Sequence, residues 1–176
     1  MIVTVVQAST DQLPVLADVL ADRRRNGLDT FDEWWEGVYR IVTGPSPEHG
    51  EMIAELHLLL SDLVKEAGLR LAMPVNIGRD KWDAKVPDIG VYQRDTPRTS
   101  PAFLATAVLV VEILSPGEAA GEKLPFYAAW GVEEYLEVDL WGRNVRLLVR
   151  HGDRWEPADV SPALGFAVGD MAIVWP

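Results

Sequence analysis

The segment Ala107-Val108-Leu109-Val110-Val111-Glu112-Ile113-Leu114 is apolar at every position but one and rich in β-branched side chains. Such a run reads as a strand covered on both faces, the kind found inside a sheet with helices packed on it. Immediately after it, Ser115-Pro116-Gly117 turns the chain, and Glu118 to Trp130 is expected to return as a helix closed by Gly131. A strand, a turn and a helix packing back on the sheet begin a crossover unit. Glu134 to Asp139, Val145 to Arg150 and Arg154 to Glu156 then read as short strands joined by turns at Trp141-Gly142-Arg143 and His151-Gly152-Asp153, so the C-terminal part is expected to form β-hairpins.

Upstream, the helix with the clearest boundaries begins at Ser46, a good N-cap, with Pro47 at its first position and Gly68 placed to close it. Ile53, Leu56, Leu60 and Leu63 give it an apolar stripe, and one step of four back from Ile53 puts His49 on the same face. Leu69 to Ile77 and Val86 to Gln93 read as strands on either side of a polar loop, Gly78 to Lys85. Gln12 to Arg25 reads as a helix ending in basic residues, and Gly37 to Thr43 as a strand. The order helix, strands, helix, strands predicts an α/β fold in which a mixed β-sheet is flanked by helices, formed by residues 1–176 as a single domain.

Composition narrows the function classes. The 176 residues contain no cysteine, which excludes a disulfide framework, a zinc ribbon and a thiol nucleophile. Residues 1–10 lack the charged and apolar regions of a signal peptide, and the apolar stretch 102–114 is too short to span a bilayer, so a cytoplasmic protein without membrane contact is expected. Glycine-rich phosphate cradles, Gly-x-Ser-x-Gly elbows and His-Glu-x-x-His zinc pairs do not occur. The 27 acidic residues against 16 basic ones leave a net charge of -11, which by itself disfavours a nucleic-acid partner.

Glu112 is the most informative residue, because a carboxylate inside an apolar strand needs a cation, a metal or a proton to offset several kcal/mol of desolvation. An ordinary structural ion pair, or a strand end reaching water, would also satisfy it. Asp88, after Pro87, shares one face of its strand with Gly90 and Tyr92. Two carboxylates on neighbouring strands can hold one divalent cation, and hard oxygen donors suit Mg2+ or Mn2+. Lys123, near the start of the following helix, is placed to orient or help deprotonate a water beside such an ion. Each residue also has a plain reading: Pro-Asp is common in turns, and a helix lysine is usually solvated.

Pro87-Asp88, then Glu112-Ile113-Leu114-Ser115-Pro116, then Glu122-Lys123 with Tyr127, and finally Gly131-Val132-Glu133-Glu134-Tyr135 together resemble the Uma-two family of restriction-endonuclease-like proteins, a branch of the PD-(D/E)XK nuclease superfamily. Upstream, Asp32 to Tyr39 and Pro45 to His49 extend the resemblance, which covers roughly residues 20 to 175. The superfamily's lysine normally lies two positions after the second carboxylate, where this chain has Leu114; the resemblance implies a lysine that has migrated to the next helix, at Lys123. It also implies a restriction-endonuclease-like fold, Asp88 and Glu112 as metal ligands, His49 at the edge of the site and Mg2+-dependent cleavage of DNA. Many relatives carry an aspartate just before the helix lysine, whereas this chain has Ala119-Ala120-Gly121.

In the polar segment before Asp88, Lys81, Trp82 and Lys85 are candidates for contacting a nucleic-acid substrate, the tryptophan by stacking on a base. Trp82 also suits an ordinary loop anchor. A second reading is a catalytically silent nuclease fold used for assembly, including as a homodimer, with its acidic face against a protein; a third is a different phosphate-bearing substrate. The charge is uneven: residues 112–139 hold seven acids and one lysine, whereas 143–154 holds four arginines and one aspartate. Part of the acidity thus belongs to the proposed cation site, where a bound divalent ion would reverse the local sign.

Overall fold

The computed structural model describes residues 6–9, 13–29, 32–35, 38–41, 45–80, 83–114 and 119–176. In chain order the elements are β1 (Val6–Ser9), α1 (Leu13–Arg25), β2 (Glu33–Trp35), β3 (Val38–Ile41), α2 (Pro47–Glu66), β4 (Arg70–Ala72), β5 (Asn76–Asp80), β6 (Asp83–Lys85), β7 (Ile89–Tyr92), β8 (Arg98–Ser100), β9 (Phe103–Leu104), β10 (Leu109–Leu114), α3 (Leu124–Ala129), β11 (Glu134–Asp139), β12 (Asn144–His151) and β13 (Arg154–Ala158). The central sheet runs β13-β12-β11-β10-β7-β4; β10 and β11 are parallel, and the other neighbours are antiparallel. The α/β class, the mixed sheet and the C-terminal hairpins are as expected from the sequence.

Local chemistry sets both ends of α2. The Ser46 hydroxyl accepts the His49 N–H at 3.3 Å, and Pro47 stands in the first turn, where no amide is needed. At the other end Gly68, at φ 72, lets the Leu69 N–H reach Val64 O and the Gly68 N–H reach Lys65 O. Met52, Leu56, Leu60 and Val64 are the buried stripe, with Ile53 and Leu63 half-buried beside it, so the inward face is turned slightly from the one the sequence suggests. The stripe packs on Ile89 and Val91 of β7, Leu109, Val111 and Ile113 of β10, and Leu136 and Val138 of β11. The alternate residues Val110, Tyr135 and Leu148 face the other way and pack with Tyr127 of α3 and Ile77 of β5. β10 is therefore covered on both sides, as its composition requires. At Gly90 of β7 an added Cβ would lie 2.3 Å from Val75 Cγ1, so a side chain there would force Val75 to move.

Three expected elements differ. Leu69 to Ile77 is two strands, β4 and β5, in different sheets, and Pro74 between them has no N–H to offer a ladder. The supposed polar loop from Gly78 to Lys85 carries the paired strands β5 and β6. The expected helix Glu118 to Trp130 is confined to Leu124–Ala129, because Pro125 belongs to a first turn and Gly121, at φ 70, breaks the helical path. No helix among the described residues is long and apolar enough to cross a membrane.

Glu134 ties the C-terminal segment to the sheet. It is buried on β11 and accepts the Ser161 hydroxyl and, at 2.7 Å, the Ala163 N–H. Burial raises its pKa above the usual carboxylate range, while Ser161 and Ala163 pull it back and nearby Glu133 adds to the rise. The folded state thus holds this proton to higher pH than the unfolded chain, so its contribution is most favourable at low pH and is lost as pH rises through the elevated value. Glu134→Gln removes that titration. In urea unfolding at about pH 5 and about pH 8, the stability of the wild type relative to Glu134→Gln is expected to fall as pH rises; an unchanged difference would refute the burial argument.

Candidate active site

The β7–β10 register pairs Gly90 with Val110 and Ile89 with Val111, and the next step places Asp88 opposite Glu112. Asp88 stands just before β7, where its Oδ2 accepts the Ile113 N–H at 2.8 Å. Its Oδ1 lies 2.8 Å from His49 Nε2, in the first turn of α2. The Asp88 and His49 side chains keep 19% and 15% of their exposure, so this pair is reachable from solvent.

Glu112 is deeper, with 6% side-chain exposure. Its position on β10 sends it to the Val110 side of the sheet, toward α3. Lys123 Nζ donates to its Oε2 at 2.7 Å, and the Tyr127 hydroxyl donates to its Oε1. Lys123 precedes α3 and Tyr127 lies one turn later, with its N–H on Lys123 O, so four-residue spacing brings both to one carboxylate. Lys123 is the residue that the resemblance implies, and its ammonium meets the carboxylate across eleven residues of chain. Tyr127 is fully buried and stacks obliquely on Tyr135, which closes the pocket around the pair.

The structure adds a carboxylate that the sequence reading had no reason to single out. Glu137 of β11 is in register with Glu112, and Arg146 of β12 is in register with Glu137. Glu112, Glu137 and Arg146 thus form one row across three strands, with Asp88 just off its β7 end. Glu137 accepts the Gly121 N–H at 2.7 Å and pairs with Arg146 at 2.8 Å. Its signal is the alternation of Tyr135, Glu137 and Asp139 on one face of β11, which Glu133 and Glu134 beside it mask as general acidity.

Lys85 ends β6 and is buried, its ammonium 5.1 Å from the centre of the Phe126 ring. Lys81 and Trp82 lie outside the described residues, as do residues 115–118. Among the described residues no group of three or more His, Cys, Asp and Glu side chains is arranged to hold a metal ion.

A family model described as "Putative restriction endonuclease" matches residues 26–173. The chain belongs to the Uma2 family. Among solved structures, a crystal structure of "a putative nuclease belonging to DUF820" from Anabaena variabilis superposes with a TM-score of 0.63 at 20% identity, over 80% of this chain and 88% of that one. At that identity the likeness shows the fold. No relative is found among curated proteins. The Uma2 match spans every residue of the Asp88, Glu112 and Lys123 constellation and His49 as well.

Removing one partner from a buried ion pair leaves the other charge uncompensated, which costs about 3–5 kcal/mol, whereas replacing both together is often neutral. Lys123→Met is therefore expected to lower unfolding stability by roughly 3 kcal/mol, and Lys123→Met combined with Glu112→Gln to recover most of it. Chemical denaturation of the four members of this cycle measures the coupling; additive losses would show that the two groups do not depend on each other.

Proposed function

We propose that this Uma2 protein is a divalent-metal-dependent endonuclease that hydrolyses phosphodiester bonds in DNA. The observation that carries the reading is the Glu112–Lys123 pair lying beside Asp88 at the reachable end of the sheet. The donor set fits Mg2+ or Mn2+: two hard carboxylates, Asp88 just before β7 and Glu112 on the neighbouring β10. Mg2+ is commonly held by one or two carboxylates, with water and substrate phosphate filling the rest, so a third protein ligand is not required. Asp88 and Glu112 would hold the ion, which supplies positive charge against the phosphate and lowers the pKa of an adjacent water.

The chain's own residues have separate tasks in this reading. His49 holds Asp88 in one rotamer from the α2 terminus, while the Ile113 N–H fixes the second oxygen. Tyr127 keeps Glu112 directed toward the α3 side, so that exchange of the Lys123 contact is the movement needed to free one oxygen. Lys123, released toward the phosphate, stabilises the negative charge that develops there and orients the attacking water. Lys81 and Trp82 are assigned to phosphate and base contact, whereas Lys85, buried with its ammonium over the Phe126 ring, does not offer a surface contact.

The closed pairing of Glu112 with Lys123 and Tyr127 also suits a nuclease fold kept for assembly, and one set of measurements separates the two.

 Supercoiled, linear and single-stranded DNA are incubated with Mg2+ or Mn2+, and metal binding is followed by calorimetry. Wild-type protein is expected to cleave, EDTA to abolish cleavage, and Asp88→Ala, Glu112→Ala and Lys123→Met each to slow it by about 100-fold or more. Asp88→Ala and Glu112→Ala should also lose metal binding. A wild type that is inactive on every DNA form with both ions and binds neither would sink the nuclease reading in favour of assembly. With a net charge of -11, DNA binding without metal should be weak at physiological salt.

A further inference from the structure

Lys123 stands on no strand, so the sheet does not place it. Its position depends on the turn formed by residues 119–123, and α3 behind that turn has only six residues, too few to be stable without outside support. Within the turn the Glu122 N–H bonds Ala119 O at 3.2 Å and the Leu124 N–H bonds Gly121 O at 3.1 Å. Two further bonds reach distant elements: Gly121 N–H to Glu137 Oε2 at 2.7 Å, and Arg40 of β3 to Glu122 Oε1 at 2.8 Å.

Of these two, the Glu137 bond is the more telling. Glu137 is 5% exposed, beside Glu112 in the parallel register. Its ion-pair partner Arg146 keeps 41% side-chain exposure, and a pair with one member so exposed contributes little to stability, so the pairing alone does not call for an acid here. What an apolar residue could not do is accept the amide of Gly121. That amide is held at a point of the backbone, φ 70, where an added Cβ would also lie 2.8 Å from Leu124 Cδ1.

We infer that Glu137 is a positioning residue for Lys123: by accepting the Gly121 N–H from β11, it fixes the turn that delivers the lysine to Glu112. The row across the sheet then has a division of labour. Glu112 meets the lysine's ammonium, and Glu137, one strand over, holds the backbone two residues before it. The catalytic consequence rests on the nuclease reading above, but the placement of the turn does not.

The test uses the full chain with Glu137→Gln, which keeps an acceptor, Glu137→Leu, which removes it, and the double variant Glu137→Leu with Arg146→Leu, which leaves no unpaired arginine. Amide hydrogen exchange at Gly121 and Lys123 is followed by NMR, alongside unfolding temperature and the kcat and KM of DNA cleavage. Both Leu-containing variants are expected to exchange at Gly121 at least tenfold faster and to lose at least tenfold in kcat with KM little changed, while Glu137→Gln restores both. Leu-containing variants that exchange and cleave like the wild type overturn the inference, as does a Gln variant no better than Leu. If Glu137→Leu alone unfolds, the double variant decides by the same criteria. A wild type without nuclease activity, but with exchange at Gly121 accelerated in the Leu-containing variants, overturns the nuclease reading and supports the positioning role.

Discussion

A carboxylate buried in the middle of the sheet constrains much of what surrounds it. Glu112 interrupts the apolar strand β10, and desolvating it is tolerable only because an ammonium and a phenol meet its two oxygens. Those partners come from one short piece of chain, so the turn before α3 and the first turn of the helix must sit over β10. Pro125 and Gly121 make that possible by ending the turn and starting the helix where Lys123 and Tyr127 come into range. The aromatic layer of Tyr127, Tyr135, Phe126 and Trp155 then closes over the same face.

The parallel pairing of β10 with β11 extends this local demand across the sheet. Because the register is fixed by two apolar faces, Glu137 falls beside Glu112 and Arg146 beside Glu137. Charge is thus grouped into pairs inside the fold: Glu112 with Lys123, Glu137 with Arg146, and Asp88 with His49. Glu134, on the opposite face, is met by Ser161 and Ala163. These pairings fix where charge sits without changing its sum, because each paired lysine or arginine already counts against its acid in the formal charge of -11.

Parts of this were legible beforehand. Helix α2 could be read because its caps are local: Ser46, Pro47 and Gly68 act on neighbours within four residues. β10 and β11 could be read from apolar runs. The pairing of β5 with β6 could not, because polar residues such as Arg79, Asp80 and Asp83 mask a ladder that forms at the side of the main sheet. α3 is shorter than the Ser115-Pro116-Gly117 turn and the Gly131 cap suggest, because Pro125 belongs in a first turn and Gly121 takes a left-handed conformation. At the site, Asp88, Glu112 and Lys123 were visible as residue types and through the family pattern, whereas Glu137 was lost among neighbouring acids.

By itself the sequence determined the ends of α2 and the apolar strands of the central sheet, since these follow from capping, turn chemistry and composition over a few residues. Only the tertiary structure decided which carboxylate meets which cation. Lys123 reaches Glu112 rather than Glu137, and the Gly121 amide takes Glu137 instead, because strand register and the return of the crossover bring together residues far apart in the chain, 25 positions in the case of Asp88 and Ile113. No local pattern carries that information; it arises from two apolar faces that must both be buried.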